Sequence, residues 1–167
     1  MKDIRNICLL NDSFPPIIDG VANAVYNYAS ILEKNYAHAI VSTPYYPGAM
    51  DNYPFEVIRY PSLDTTKLAG YRFGLPMNIS HLSEYIDKDI DILHCHCPIS
   101  SMVLARTLRD EIRKPIILHY HTKFDIDIKR AVDLKILQDY AIKMLMNSIS
   151  YADEVWVVSK GAGENLA

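Results

Sequence analysis

Short apolar runs alternate with longer stretches of helical period along the 167-residue chain. Ile7–Leu10 is continuously apolar, the pattern of a strand buried on both faces. The segment from Phe14 to Gly20 (FPPIIDG) reads as a turn. After it, Val21, Val25, Tyr28 and Leu32 recur at spacings of four and three, one face of a helix. Ala39–Val41 and Val57–Ile58 read as two short strands, separated by a Pro/Tyr/Gly loop. Asp91–His96 is a further strand. It is followed by Ser100 as a predicted N-cap and by a helix carrying Leu104, Leu108 and Ile112 on one face. Lys114-Pro115 breaks that helix and opens the strand Ile116–Tyr120. A longer helix places Leu134, Leu137, Ala141, Leu145 and Ser148 in register. Glu154–Val158 reads as the last strand, with Ser159 capping the helix behind it. Pro61–Asn78 has no period and reads as a long surface loop.

Buried-type strands alternating with helices predict an α/β chain, a Rossmann-like doubly wound parallel sheet with helices on both faces. The length fits one domain over residues 1–167. Seventeen Lys and Arg against twenty Asp and Glu leave a net charge of −3, which gives no electrostatic footprint for nucleic acid. No apolar run approaches the roughly 18–20 residues a membrane span needs. The start, MKDIRNICLLND, reads as a first strand rather than a signal peptide. Three cysteines suit free thiols in a reducing cytoplasm.

In doubly wound sheets ligands sit beyond the carboxyl ends of the strands, which directs attention to the turns after Leu10, His96, Tyr120 and Val158. The first turn has neither the G-x-G-x-x-G of dinucleotide binders nor a P-loop. It does have Asp19-Gly20-Val21 at the start of a helix, where exposed N–H groups and the helix dipole favour a phosphate. A turn-making glycine accounts for the same residues. In the run HCHC, His94 and His96 point to one face of a strand and Cys95 and Cys97 to the other. That alternation divides the candidate ligands and argues against a metal site. It leaves the cysteines as small core residues and His96 nearest the site. His121, just past a strand and followed by Thr122 and Lys123, is the strongest single candidate. His119 shares its face and competes with it. Asp125 and Asp127 are either a carboxylate pair or helix-entry residues.

Four stretches, FPPIIDGVANAVYNYASILEKN, DILHCHCP, PIILHYHT and ADEVWVVS, resemble in order and approximate spacing the retaining, nucleotide-sugar-dependent glycosyltransferases of family four, with the GT-B fold. The resemblance covers essentially the whole chain. It implies the N-terminal, acceptor-side half of an enzyme that moves a hexose from a nucleotide-sugar to a hydroxyl of a lipid or glycan, with no metal or other cofactor. By position, Gly20 matches the glycine whose loop approaches the donor phosphates, with Asp19 where many members have a further glycine and Val21 following. His121 matches the histidine that reaches the transferred sugar; His96, Thr122 and Lys123 are acceptor-side candidates. The basic residues for the leaving diphosphate and the E-x₇-E glutamates belong to a second, C-terminal domain that is not in this chain. The chain alone is therefore expected to be inactive.

Two other readings compete. A sugar-nucleotide epimerase half would bring more acid/base carboxylates to the cleft, and a free-standing sugar- or partner-binding module would need no second domain. Several relatives glycosylate membrane lipids from the cytoplasmic side. The segment Leu68–Met77 could touch a membrane there, although it carries no run of basic charge.

Overall fold

The computed structural model describes residues 5–69, 72–77, 79–121, 124, 126, 128 and 134–166. In chain order the elements are β1 (Arg5–Leu10), α1 (Gly20–Asn35), β2 (Ala37–Pro44), β3 (Glu56–Tyr60), β4 (Ser62–Leu63), α2 (Thr66–Ala69) and β5 (Phe73–Gly74). They continue with α3 (Ile79–Ile86), β6 (Ile90–Cys95), α4 (Ser100–Ile112), β7 (Ile116–Tyr120), α5 (Lys135–Ile149), β8 (Glu154–Val157) and α6 (Lys160–Leu166). Six strands form one sheet in the order β3-β2-β1-β6-β7-β8, all paired in parallel. The doubly wound α/β architecture expected from the alternation is therefore the one observed.

Each face of the sheet buries its own apolar set. Cys8 and Leu10 face one cluster with Leu93, Cys95, Leu118, Met102, Leu104 and Leu108, packed beneath α4. Leu9 faces the other, with Ala39, Val41, Val25 and Ala29 beneath α1. That division is the period-two consequence of a strand buried on both sides. Phe14 anchors the turn after β1, meeting Tyr53 and Phe55 edge-on at 5.5 and 6.4 Å. Arg59 holds the same turn with a 2.7 Å bond to the Pro15 carbonyl while pairing Asp51 through two contacts of 2.8 Å. The Pro15-Pro16 peptide is cis.

Several expectations need correction. The stretch Pro61–Asn78 is not a plain loop: β4 and β5 pair antiparallel within it, and α2 adds one turn. Gly74 makes this ribbon possible, since a Cβ there would lie 2.5 Å from the Tyr60 ring and 3.0 Å from Ser100 Cβ. Helix α3 lies where no element was expected. Tyr85 of that helix is fully buried, and its hydroxyl meets Ser42 Oγ at 2.6 Å. The last strand is not buried on both faces, because β8 is the sheet edge and all four of its residues are exposed. Leu134 and Leu137 are likewise exposed, and only the second half of α5 (Leu145, Ser148, Ile149) reaches the core. Ser159 does cap α6, accepting from Ala162 N at 3.2 Å.

Ser100 is not an N-cap. It is the first residue of α4, whose N-cap position is Ile99 with no side-chain bond. The cap comes from the far side of the sheet's midline. The Asp12 carboxylate, just past β1, accepts from Ser100 N at 2.9 Å, from Ser101 N at 2.7 Å and from the Ser101 hydroxyl. The Cys97 thiol donates to it at 3.2 Å. Two of the four orphan N–H groups of a helix N-terminus are thus satisfied by a buried charge that also suits the dipole. Asp12→Ala should cost about 3 kcal/mol of unfolding free energy, since several buried donors lose their acceptor at once. Denaturant unfolding of the variant checks this, and a change within error would remove the tie from the account.

Candidate functional site

Connections leave β1 towards β2 on one side and reach β6 on the other, so β1 and β6 are neighbours at the point where the winding reverses. The turns behind them splay apart there and leave a crevice. A cavity of about 480 Å³ occupies it, lined by Asn11, Asp12, Gly20, Val21, His96 and His121 among others. A wider hollow of about 610 Å³ lies at the opposite end of the strands, between Arg109 and Lys114. Two of its basic side chains are committed there, Arg109 to Asp153 and Lys114 to Asp91. The crevice at the switch point carries His96, His121 and the opening of α1 at Gly20.

Asp19 and Gly20 form its first wall. Asp19 is the N-cap of α1, and its Oδ1 accepts from Ala22 N at 2.7 Å. Its charge therefore already occupies part of the helix terminus. Gly20 opens the helix with no positive φ, and a Cβ placed on it would meet nothing within 4 Å. Neither backbone conformation nor internal packing requires glycine at this point. The space in front of its backbone is open to whatever enters the cavity. Val21 lines the cavity beside it.

Histidines form the second wall. His94 and His96 alternate onto one face of β6 and its end, and His119 and His121 onto the same face of β7, the neighbouring strand. His96 Nδ1 and His121 Nε2 are hydrogen-bonded at 2.9 Å, with the rings stacked 5.1 Å apart. His121 is half-buried and lines the cavity, whereas His94, His96 and His119 are buried. Tyr28 of α1 meets all three buried rings edge-on at 5.5–5.8 Å, and Trp156 of β8 meets His94 and His119. Thr122 and Lys123 lie outside the described residues, as do Asp125 and Asp127.

Burial governs the protonation of this group. It pushes His121 down to about 4, with His119 adding repulsion, and His94 down to about 3, with His119 and His121 adding to it. His96 is held well below its ordinary value and His119 below it for the same reason. All four imidazoles are neutral at neutral pH. Burial also raises the Asp12 carboxyl, against the opposing pull of its hydrogen bonds, and keeps the Cys97 thiol protonated as a donor.

Asp12 and Cys97 are among the lining residues that were not site candidates from the sequence, as are Asn11, Ser13, Ile99, Phe124 and Val158. An Asn-Asp-Ser run directly behind an apolar strand was the available signal for Asp12. Cys97 is buried, as expected of a small core residue, and its thiol also donates to that carboxylate. Because the folded histidines titrate below the ordinary 6.5, the unfolded chain takes up protons first as pH falls. Stability should be full above pH 6.5 and decline towards pH 4, by about 1.4 kcal/mol per unit for each proton taken up. Urea unfolding in metal-free buffer checks this. A flat profile across that range would contradict neutral burial.

Among the described residues, no helix is long and apolar enough to cross a membrane. No curated protein matches the chain. A family model described as Glycosyltransferase Family 4 matches residues 18–167. That match begins at the turn before Asp19 and takes in both walls of the crevice, and the six-stranded parallel sheet is consistent with the N-terminal half of a GT-B glycosyltransferase. The chain belongs to glycosyltransferase family 4.

Proposed function

We propose that the chain is the acceptor-side domain of a retaining transferase that moves a hexose from a nucleotide-sugar to a hydroxyl of a lipid or glycan. The observation that carries this reading is the shared cavity: the open backbone at Gly20 and the ring of His121 face the same 480 Å³ space at the switch point. In the proposed reaction the bond from the anomeric carbon to the diphosphate breaks as the acceptor oxygen forms its own bond on the same face. The nucleoside diphosphate leaves with the electron pair, and the acceptor's proton passes to the departing phosphate oxygen. Negative charge grows on that group, and preorganised N–H donors and cations are the largest source of help.

The Gly20–Val21 backbone would supply N–H groups to the diphosphate. His121, neutral and oriented by His96, would present its free ring nitrogen to the sugar. Among the described lining residues there is no Lys or Arg, so the cations come, in this proposal, from a second domain closing over the crevice and excluding water. Metal-independent transfer remains part of the proposal. Among the described lining residues the carboxylates support transfer over acid/base epimerisation, because Asp12 is committed to α4 and Asp19 to α1.

Two substitutions in the full-length enzyme test the roles separately. His121→Ala should lower kcat by about 10²-fold, the scale of one lost stabilising contact in the transition state. Gly20→Ala should leave the melting temperature unchanged, since its Cβ meets nothing, yet raise the KM for the nucleotide-sugar by roughly tenfold, about 1.4 kcal/mol. Near-wild-type kinetics in both variants would overturn the assignment of this crevice.

A further inference from the structure

Three buried histidines, of which His96 also lines the crevice, make a second arrangement. One ring nitrogen from each of His94, His96 and His119 lies within 4.8 Å of the others. Side chains 4%, 0% and 8% exposed leave no room for bulk water to serve them. Each ring nevertheless keeps a nitrogen without a hydrogen-bond partner: Nε2 of His94, Nε2 of His96 and Nδ1 of His119. Buried polar atoms of that kind are rare because each carries a desolvation cost with no bond to offset it. Three such rings on one face of two adjacent strands, each able to bring a nitrogen within 4.8 Å of the others, call for a common partner.

We infer that His94, His96 and His119 form a three-imidazole site for a divalent first-row transition cation of the zinc type. Three neutral nitrogens of intermediate softness favour Zn²⁺, Co²⁺, Ni²⁺ or Cu²⁺ over Mg²⁺ and Ca²⁺, which take oxygen ligands. Metal–nitrogen bonds of about 2.0–2.1 Å place ligand nitrogens roughly 3.4 Å apart in a tetrahedral site, so nitrogens up to 4.8 Å apart close in by at most about 1.4 Å. Small ring rotations supply that movement. The low basicity of these imidazoles agrees with the geometry, since lone pairs free of protons are what a metal needs.

The surroundings have the form of a ligand's outer shell. His96, with Nε2 on the metal, keeps Nδ1 for His121 Nε2 at 2.9 Å, the usual outward bond of a coordinated imidazole. Tyr28 and Trp156 wall the cluster with apolar ring surface. The cation would thus fix which nitrogen of His96 carries the proton and hold His121 facing the crevice, without touching the transfer chemistry. The three strand positions explain why the sequence argued otherwise. The HCHC run does divide its ligands between two faces, but the third histidine comes from the neighbouring strand.

The test uses the chelator-stripped chain and its single tryptophan. Trp156 lies 5.1 Å from the His94 ring, close enough for a paramagnetic ion to quench its fluorescence. Titration with Co²⁺ should quench to a plateau at one equivalent, develop the visible bands of tetrahedral nitrogen coordination and be reversed by Zn²⁺. His94→Gln and His119→Gln should each weaken binding more than about 100-fold, beyond the roughly 10–100-fold loss typical of outer-shell changes. His38→Gln should bind as the unaltered chain does. No plateau at one equivalent, or unchanged affinity in both ligand variants, overturns the site. If those variants do not fold, the ring ¹⁵N spectrum of the unaltered chain decides. Zn²⁺ must shift resonances of all three histidines, and a spectrum unmoved by Zn²⁺ points to a water-bridged cluster instead. The binding result is independent of the transferase reading, which it leaves intact either way.

Discussion

A single buried carboxylate ties the two halves of the sheet together where their winding reverses. Asp12 follows β1, yet its oxygens cap α4, which follows β6, and it also takes the Cys97 thiol from the turn between them. The hydrogen bond from His96 N to the Leu10 carbonyl adds a backbone link at the same level. A crevice between two diverging turns is soft unless something fixes its mouth. Here the mouth is fixed by a charge that can remain buried only while its donors stay in place. Gly20 and His121 line the cavity at that mouth.

The site follows from strand chemistry at one edge. A parallel sheet sends every carboxyl end to the same side, and each strand that crosses this chain's midline ends in a polar group: Asn11-Asp12-Ser13, His96-Cys97 and His121. Alternation then sorts them. Cys95 and Tyr120 turn into the core under α4, while His94, His96, His119 and His121 turn the other way. Burial removes their charge, so four imidazoles can stack without mutual repulsion. What results is a neutral, polarisable wall behind a cavity whose opposite wall is a helix terminus already holding one carboxylate.

Much of this could be read from residue order. The run Ile7–Leu10, the period from Val21 to Leu32 and the break at Lys114-Pro115 each carry a local signal, and each became the expected element. Gly20 and His121 were legible because turn chemistry and strand ends are local features. What escaped needed partners distant in sequence. Asp12 is 88 residues from the serine it caps, so the serine alone suggested a local cap. His119 joins His94 and His96 only through the pairing of β6 with β7. The β4–β5 ribbon rests on the absence of one Cβ against Tyr60, which no periodicity reveals. The exposure of β8 follows from its place at the edge rather than from its apolar composition.

The central claim is that a nucleotide-sugar occupies the crevice at the switch point, its diphosphate at the Gly20–Val21 backbone and its sugar towards His121. A crystal structure of the enzyme with a non-hydrolysable nucleotide-sugar tests this most directly. Diphosphate oxygens should lie within hydrogen-bonding distance of those amides and a sugar hydroxyl on the His121 ring. A donor bound in the hollow between Arg109 and Lys114, or one that leaves the Gly20 backbone and His121 untouched, would contradict it.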